Sequence, residues 1–339
     1  MSFDVAVVGA GAAGAATAYQ LALRGRSVVL IDERALPRSK PCGGGMAASV
    51  QQWFPCDLSP AVDRVIDRVR FTWCLEDPVI ADLPGESPFW IVRRDVLDGY
   101  LADQAAAAGT QRLEGQAVTE VSRHGDGWEL SLGEQRLRAR ALVLAHGSRG
   151  DLVNQLGVAV PRRGGYSVGI GTFLGRTVAD YDQVLTALLP SLGLDPQAGQ
   201  RRHWPLRVWN GHHPLHRDGV VAVGDAASLA DPFLAEGLRP ALLSALRAAE
   251  AIDAHLSGEP QALAGYTRTM RREWGESMSW GRRIGQVFYR FPKVGYQLGI
   301  KRPTAPQRIA QILSGEMGYG DIAQRVIRRL GGGLLGAGG

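Results

Sequence analysis

The chain has 339 residues, enough for about two ordinary domains, with 45% apolar and 21% charged residues. That balance excludes disordered and fibrous classes. Three cysteines (Cys42, Cys56, Cys74), none in a C-x-x-C pair, exclude a disulfide scaffold and give no structural zinc signature. The net charge of +5 is uneven: from Arg271 onward there are twelve Lys/Arg against four Asp/Glu, leaving the preceding residues slightly acidic. No helix-turn-helix, zinc-finger or RNA-binding pattern accompanies the basic end, so nucleic acid is not an expected partner.

Residues 5–23 carry no charge, long enough to raise a signal-peptide or membrane-span reading. Asp4 has the wrong sign for a signal n-region, and the run contains Gly9, Gly11 and Gly14 at fixed spacing. It reads instead as a strand over 3–8, a glycine turn, a helix over 15–23 and a second buried strand over 27–31 ending at Asp32. Within such a strand–turn–helix–strand unit each glycine of G-x-G-x-x-G has a task. Gly9 makes the tight turn, Gly11 lets backbone approach a pyrophosphate, and Gly14 lets helix pack on strand. The uncapped helix N-terminus attracts the phosphates. Asp32 can accept ribose hydroxyls and would repel a 2′-phosphate, which favours FAD or NAD over NADP here. The motif alone does not choose between them.

Further along, residues 220–223 form an apolar strand followed by Gly224-Asp225-Ala226-Ala227, then Asp231-Pro232 and Ala235-Glu236-Gly237-Leu238, opening a helix to about residue 256. An acid after a buried strand can hold polyol hydroxyls, and a helix start can stabilise an electron-rich ring edge. A plain strand–turn–helix with a surface Asp explains the same pattern equally well.

Taken together, the two segments resemble FAD-dependent oxidoreductases of the para-hydroxybenzoate hydroxylase and glutathione reductase type. The details are similar to the geranylgeranyl reductase family: Pro37-Arg38-Ser39-Lys40-Pro41-Cys42-Gly43-Gly44-Gly45, then Trp90-Ile91-Val92-Arg93-Arg94-Asp95, and late in the chain Leu313-Ser314-Gly315-Glu316-Met317-Gly318-Tyr319. The resemblance covers residues 1–148 and 220–330. It implies an α/β fold: a Rossmann-like FAD-binding domain (residues 1–60, 94–150 and 220–256), a shortened inserted antiparallel substrate sheet (61–93 and 151–219), a C-terminal helical region (257–330) and a disordered glycine-rich tail (331–339).

The resemblance also implies roles. Gly9, Gly11, Ala12, Ala13 and Gly14 cradle the FAD pyrophosphate, and Asp32 holds the adenosine ribose. Cys42, Gly43 and Gly44 line the isoalloxazine. Arg94 contacts the phosphate or ribityl region, and Val118, in a strand over 117–121, meets the adenine. Asp225 binds ribityl oxygens, while Gly237 and Leu238 offer N–H groups to the pyrimidine edge. The implied activity is reduction of C=C bonds in isoprenoid chains, such as the geranylgeranyl tail of chlorophyll or of lipids, with NADPH or a similar transient donor. Cys42 either tunes the flavin or relays the proton, or is a small buried filler. Arg34 and Arg38 either steer donor phosphates or form a solvated basic loop.

Two features separate this chain from the family pattern. The stretch between residues 148 and 220 is short and lacks a Tyr-x-Trp-x-Phe-Pro segment before residues 166–173, so a reduced substrate roof is expected. Gly169-Ile170-Gly171 does not read as a second dinucleotide site. A flavin monooxygenase of an apolar aromatic and a non-catalytic FAD-binding protein are the alternative functions. His203, His212, His213 and His216 lack a companion carboxylate or Cys at ligand spacing, so no metal site is expected. Residues 287–298, with Phe288, Tyr289, Phe291 and Tyr296 beside Arg290 and Lys293, suit either a membrane interface or core packing. The expected location is the cytoplasm, with that segment the candidate contact to the inner membrane surface.

Overall fold

The structure is a computed structural model that describes residues 1–83, 85, 88–159, 178–198 and 204–325. Strands β1 (Ser2–Val8), β2 (Val28–Asp32), β8 (Gln111–Glu114), β11 (Gln135–Leu144) and β13 (Val220–Ala222) run parallel in the order β13-β11-β1-β2-β8. The short β12 (His216–Arg217) closes one edge antiparallel to β13, while β9 (Glu120–His124) and β10 (Gly127–Leu132) form an antiparallel extension on β11. The parallel strands are apolar runs because both faces are covered: every residue of β2 and of β13 is buried.

Helix α1 (Ala12–Leu23) packs against both α2 (Arg94–Ala107) and the helix Leu238–Leu256. Its alanine-rich sequence suits that crowding, since eleven of its twelve residues are buried. The helix starts at Ala12 rather than residue 15. Gly11 already serves as N-cap, so the glycine motif forms the first helical turn. Arg26, just beyond α1, donates to the Asp253 carboxylate (2.6 Å), the Asp253 carbonyl (2.9 Å) and the Ser257 hydroxyl (2.6 Å). A guanidinium there also complements the negative end of the helix Leu238–Leu256.

A second layer comes from β3 (Gly45–Ala47), β7 (Phe89–Val92) and β4 (Val62–Ile66), joined antiparallel in the order β3-β7-β4, and from a hairpin of β5 (Arg68–Trp73) and β6 (Glu76–Asp82). The small sheet thus borrows its edge strand β3 from the segment that follows the first motif. Ala81, Leu83, Phe89 and Ala310 form its buried cluster, which ties it to the helix Ala305–Ser314. The C-terminal helices brace the second motif: Tyr266 donates to the Ala222 carbonyl (2.8 Å) and Trp274 to that of Leu229 (2.8 Å), both buried.

The strand expected over 117–121 is displaced toward the C-terminus, overlapping the expectation only at Glu120 and Val121. Gly115, with φ of +71°, ends β8, and residues 115–119 form a connection pinned by Gln116 N–H to Asp32 O and Thr119 N–H to Ser131 O. Strand β9 starts only at Glu120. The expected helix over 178–192 is helical at Val178–Leu188 and continues as a tight turn through Leu192. Residues 160–177, which contain Gly169-Ile170-Gly171 and the 166–173 segment, and the tail 331–339 lie outside the described residues.

Candidate functional site

The three motif glycines do three different things. A Cβ on Gly9, whose φ is +108°, would fall 2.4 Å from the Ala145 carbonyl oxygen, and one on Gly14 would fall 1.8 Å from the Gly9 carbonyl oxygen. Both positions are closed by the protein's own backbone. Gly11 is different: its φ is −76°, open to any residue, and a Cβ there would meet only Arg38 Nη2 at 3.5 Å, Arg94 Nη2 at 3.6 Å and Asp98 Oδ2 at 3.9 Å. Gly11 therefore leaves room beside two guanidinium groups at a helix N-terminus with no side-chain cap.

Those guanidiniums are held by a buried ionic lattice. Arg94 donates from Nε and Nη2 to the two Asp98 oxygens, each at 2.8 Å, and both side chains are buried. Arg38 donates to Asp32 (3.1 Å) and stands 3.6 Å from Asp98. Asp32 also accepts the N–H of Ala10 (2.7 Å) and of Arg34 (3.0 Å). Asp32 thus fastens the glycine turn as well as facing the cleft. Asp98 holds Arg94 charged despite burial. A pair so placed is costly to break one-sidedly, so its geometry is pre-set for an anion at Gly11.

At the other end Asp225 accepts a 2.9 Å hydrogen bond from Lys40. Gly237 caps the helix Leu238–Leu256 with no side-chain partner for the first-turn N–H groups, and a Cβ on it would lie 3.5 Å from Asp225 Oδ1. Cys42, read either as a flavin-tuning or proton-relay group or as a small buried filler, lines the same chamber as Asp225. It is exposed, because the positive φ of Gly44 (+71°) turns the loop there and a Gly44 Cβ would strike the Val92 carbonyl oxygen at 2.1 Å. The Cys42 sulfur accepts the Gly44 N–H at 3.3 Å.

Two chambers, of about 330 and 340 Å³, open at these ends. The first is lined by Gly9, Asp32, Arg34, Arg38 and Val118, the second by Ala12, Ala13, Cys42, Gly43, Asp225, Gly237 and Leu238. Gly11, Lys40, Arg94, Ala145, Gly147 and Trp204 line both, so the two chambers adjoin along a shared wall between the glycine turn and Asp225. Gly14 and Gly44 line neither; they shape the turns that do. Val118 reaches the first from the connection, not from a strand.

Sequence reasoning missed several of these residues. Trp204, on the shared wall, has two cations over its ring, with Arg149 3.9 Å and Lys40 5.9 Å from its ring centroid. Asp98 was visible only as the i+4 partner of Arg94. His146, beyond the end of β11, is pushed down to about 4 by burial, and both its ring nitrogens are buried without a partner. Behind Gly237, Asp231 accepts the Phe233 and Leu234 N–H groups and the Tyr319 hydroxyl (2.7 Å). Burial raises both Asp231 and Tyr319, and pushes the neighbouring Glu236 up to about 8. The histidine-rich loop does not converge: His213 pairs with Asn210 (2.6 Å) and His216 with Thr267 (2.7 Å). Among the described residues no three His, Cys, Asp or Glu side chains gather as metal ligands.

Residues 4–71 match the family model of the FAD-dependent oxidoreductases. That segment is an FAD-dependent oxidoreductase domain. The whole flavoprotein is 25% identical over 342 residues to digeranylgeranylglycerophospholipid reductase 1 of Methanothermobacter thermautotrophicus, covering 81% of this chain and 84% of that one. It is 30% identical over 238 residues to the menaquinone reductase of Mycobacterium tuberculosis, covering 68% of this chain but 57% of that enzyme's length. The fold is that of a geranylgeranyl bacteriochlorophyll reductase-like protein from Thermoplasma acidophilum (TM-score 0.73, 17% identity, 96% of this chain and 98% of that one). A flavin-dependent brominase, Bmp2, shares it (TM-score 0.68, 17% identity, 97% and 100% covered). The cleft fits the cofactor: open backbone at Gly11, uncapped helix starts at Gly11 and Gly237, and the buried Arg94, held by Asp98, on the wall of both chambers.

Proposed function

We propose that this flavoprotein reduces C=C bonds of an isoprenoid chain. The observation that carries the reading is the exposed Cys42-Gly43 segment, which lines the second chamber together with Asp225 and Gly237, in a chain similar to a digeranylgeranylglycerophospholipid reductase. FAD bound in the cleft would supply hydride chemistry. The protein's part is positioning and proton supply. Gly11, Ala12, Ala13, Arg38 and Arg94 would hold the pyrophosphate, Asp32 and Val118 the adenosine end, and Asp225 the ribityl chain. The first-turn N–H groups after Gly237 would face the pyrimidine edge and favour negative charge there. The Cys42 thiol, on the lining of the second chamber, would hold the proton an alkene carbon must receive. A reduced nicotinamide such as NADPH would be the transient donor. Arg38 is committed to Asp32 and Asp98, which leaves Arg34 as the more exposed of the two arginines.

The test is anaerobic photoreduction of the FAD-loaded protein followed by addition of a geranylgeranyl lipid. Reoxidation of the flavin with a mass gain of two hydrogens per double bond is expected, slowed in Cys42→Ser. The fold shared with a brominase keeps oxygen chemistry as the second reading. A product that gains oxygen, and only in air, would overturn the reductase. Flavin that stays reduced with every isoprenoid offered, yet binds normally, would leave a non-catalytic flavoprotein.

A further inference from the structure

Of the four aromatic side chains in the 287–298 segment, the fold takes three inward. Phe288 packs edge-on against Phe233 (5.3 Å between centroids), Tyr289 donates to the Phe233 carbonyl (2.6 Å), and Tyr296 is buried against Trp73 (6.0 Å), its hydroxyl bonded to the Asp77 carbonyl. Those contacts satisfy the core-packing reading for these three rings. They also leave a different set outward. Val287, Phe291, Val294 and Leu298 are 54–68% exposed, within one elbow formed by the helix Glu276–Arg290, the turn Pro292–Gly295 and the segment Tyr296–Ile300. The elbow folds tightly, since a Cβ on Gly295 would meet the Phe288 ring at 2.6 Å. Leu75, at the tip of the hairpin that carries Asp77, adds another exposed apolar side chain beside it.

Four large apolar side chains in twelve residues is more than scattered surface hydrophobicity. The charge around them is one-sided. Between Glu276 and Glu316 there are seven Lys/Arg and no Asp/Glu. The hairpin packed against the elbow carries three acids: Asp77 is taken by Lys301 (2.8 and 3.0 Å), Asp82 pairs with Arg68 (2.8 Å), and Glu76, beside Leu75, is exposed. Arg290, Lys293 and Arg302 are exposed and make no ion pair among the described residues. No helix among the described residues is long and apolar enough to cross a membrane. Apolar side chains rimmed by an excess of cations are what a surface needs to lie on an anionic bilayer, its apolar face at the acyl boundary and its cations at the headgroups.

We propose that this elbow is a docking surface for an anionic lipid bilayer. The helix that leads into it touches the cleft's supporting segment: Gly285 packs on Phe233 and the Pro232 carbonyl, in the segment that leads to Gly237 on the second chamber. The surface is argued from exposure and charge and does not depend on the reductase reading. A membrane-resident isoprenoid substrate would give it a purpose.

The experiment is co-sedimentation of the FAD-loaded full chain with phosphatidylglycerol vesicles and, separately, phosphatidylcholine vesicles. Binding to the first and not the second is expected, weakening as salt rises. Arg290→Gln with Lys293→Gln should bind about thirtyfold more weakly, at about fivefold per cation near an anionic surface. Val287→Ser, Phe291→Ser and Leu298→Ser together should abolish sedimentation. Retained flavin absorbance and unchanged melting establish that both variants fold. A parent protein that stays in the supernatant with both vesicles overturns the proposal. So does a triple variant that still sediments like the parent, or a face whose exposed residues instead drive a concentration-dependent dimer without vesicle binding. Turnover on detergent-dispersed substrate, measured alongside, should be the same in parent and variants; its loss in all three would count against the reductase reading and leave the docking result standing.

Discussion

Replacing Gly11 by alanine should spare the apoprotein and cripple flavin binding, whereas the same change at Gly14 should do the reverse. At Gly11 the added methyl meets only guanidinium and carboxylate tips at 3.5–3.9 Å, at an unstrained φ of −76°. The remaining cost is that of a poorer N-cap, under about 1 kcal/mol. The methyl would, however, stand where a pyrophosphate must approach the backbone. Losing one charge-assisted hydrogen bond there costs about 1.5–3 kcal/mol, a factor of roughly 10–100 in Kd. At Gly14 the methyl lands 1.8 Å from the Gly9 carbonyl oxygen, so backbone must move. Overpacking costs about 1–3 kcal/mol, and an obstructing backbone atom puts this site at the upper end. Better helix propensity returns only about 1 kcal/mol. Denaturant melts of the two apoproteins and FAD titration by fluorescence quenching measure both quantities. If Gly11→Ala binds FAD like the parent, or loses as much apoprotein stability as Gly14→Ala, the division of labour among these glycines is wrong.

Asp98→Ala strands a buried Arg94 and should cost about 3–5 kcal/mol in a urea melt; Arg94→Met with Asp98→Leu should recover most of that stability while still binding FAD poorly. His146 titrates near 6.5 when unfolded and about 4 when folded, so the unfolded chain binds more protons in that window. Its contribution, up to about 3 kcal/mol, is present above pH 6.5 and declines as pH falls toward 4; the pH dependence of unfolding in His146→Gln should lack this decline. Glu236 has the opposite sign: its folded value is raised to about 8, so stability is lost as pH climbs toward 8, and Glu236→Gln should flatten that limb of the same curve. Tyr319→Phe removes the hydroxyl from Asp231 and should lower stability by about 1.5–3 kcal/mol in a thermal or urea melt.

The parts of the site that were legible in the sequence are those whose physics is local. A strand, three glycines, a helix and an acid within some thirty residues specify the phosphate turn, because each glycine's backbone demand is met by near neighbours. The Gly224-Asp225 turn and the Gly237 helix start are legible for the same reason. Arg94 was legible as a motif residue, but its pairing with Asp98 beside the Asp32–Arg38 pair was not, since Asp32 and Asp98 meet only when α2 folds against α1. Cys42 is exposed because Gly44 turns its loop against β7, which no spacing within the loop reveals.

The sequence by itself therefore determined the glycine turn at one end of the cleft and the basic character of the C-terminal region, while flavin and the role of the second end came from the family resemblance. Only the tertiary structure decided that the two chambers adjoin, that Trp204 walls both, and that Val118 reaches the first from a connection. It also decided that Tyr319 bonds Asp231 across 88 positions of chain and that Phe291 faces outward while its neighbouring rings turn in. The reason is the range of the forces: turn geometry and helix starts are set by residues a few positions apart, whereas burial and charge pairing are set by whatever the folded chain brings alongside.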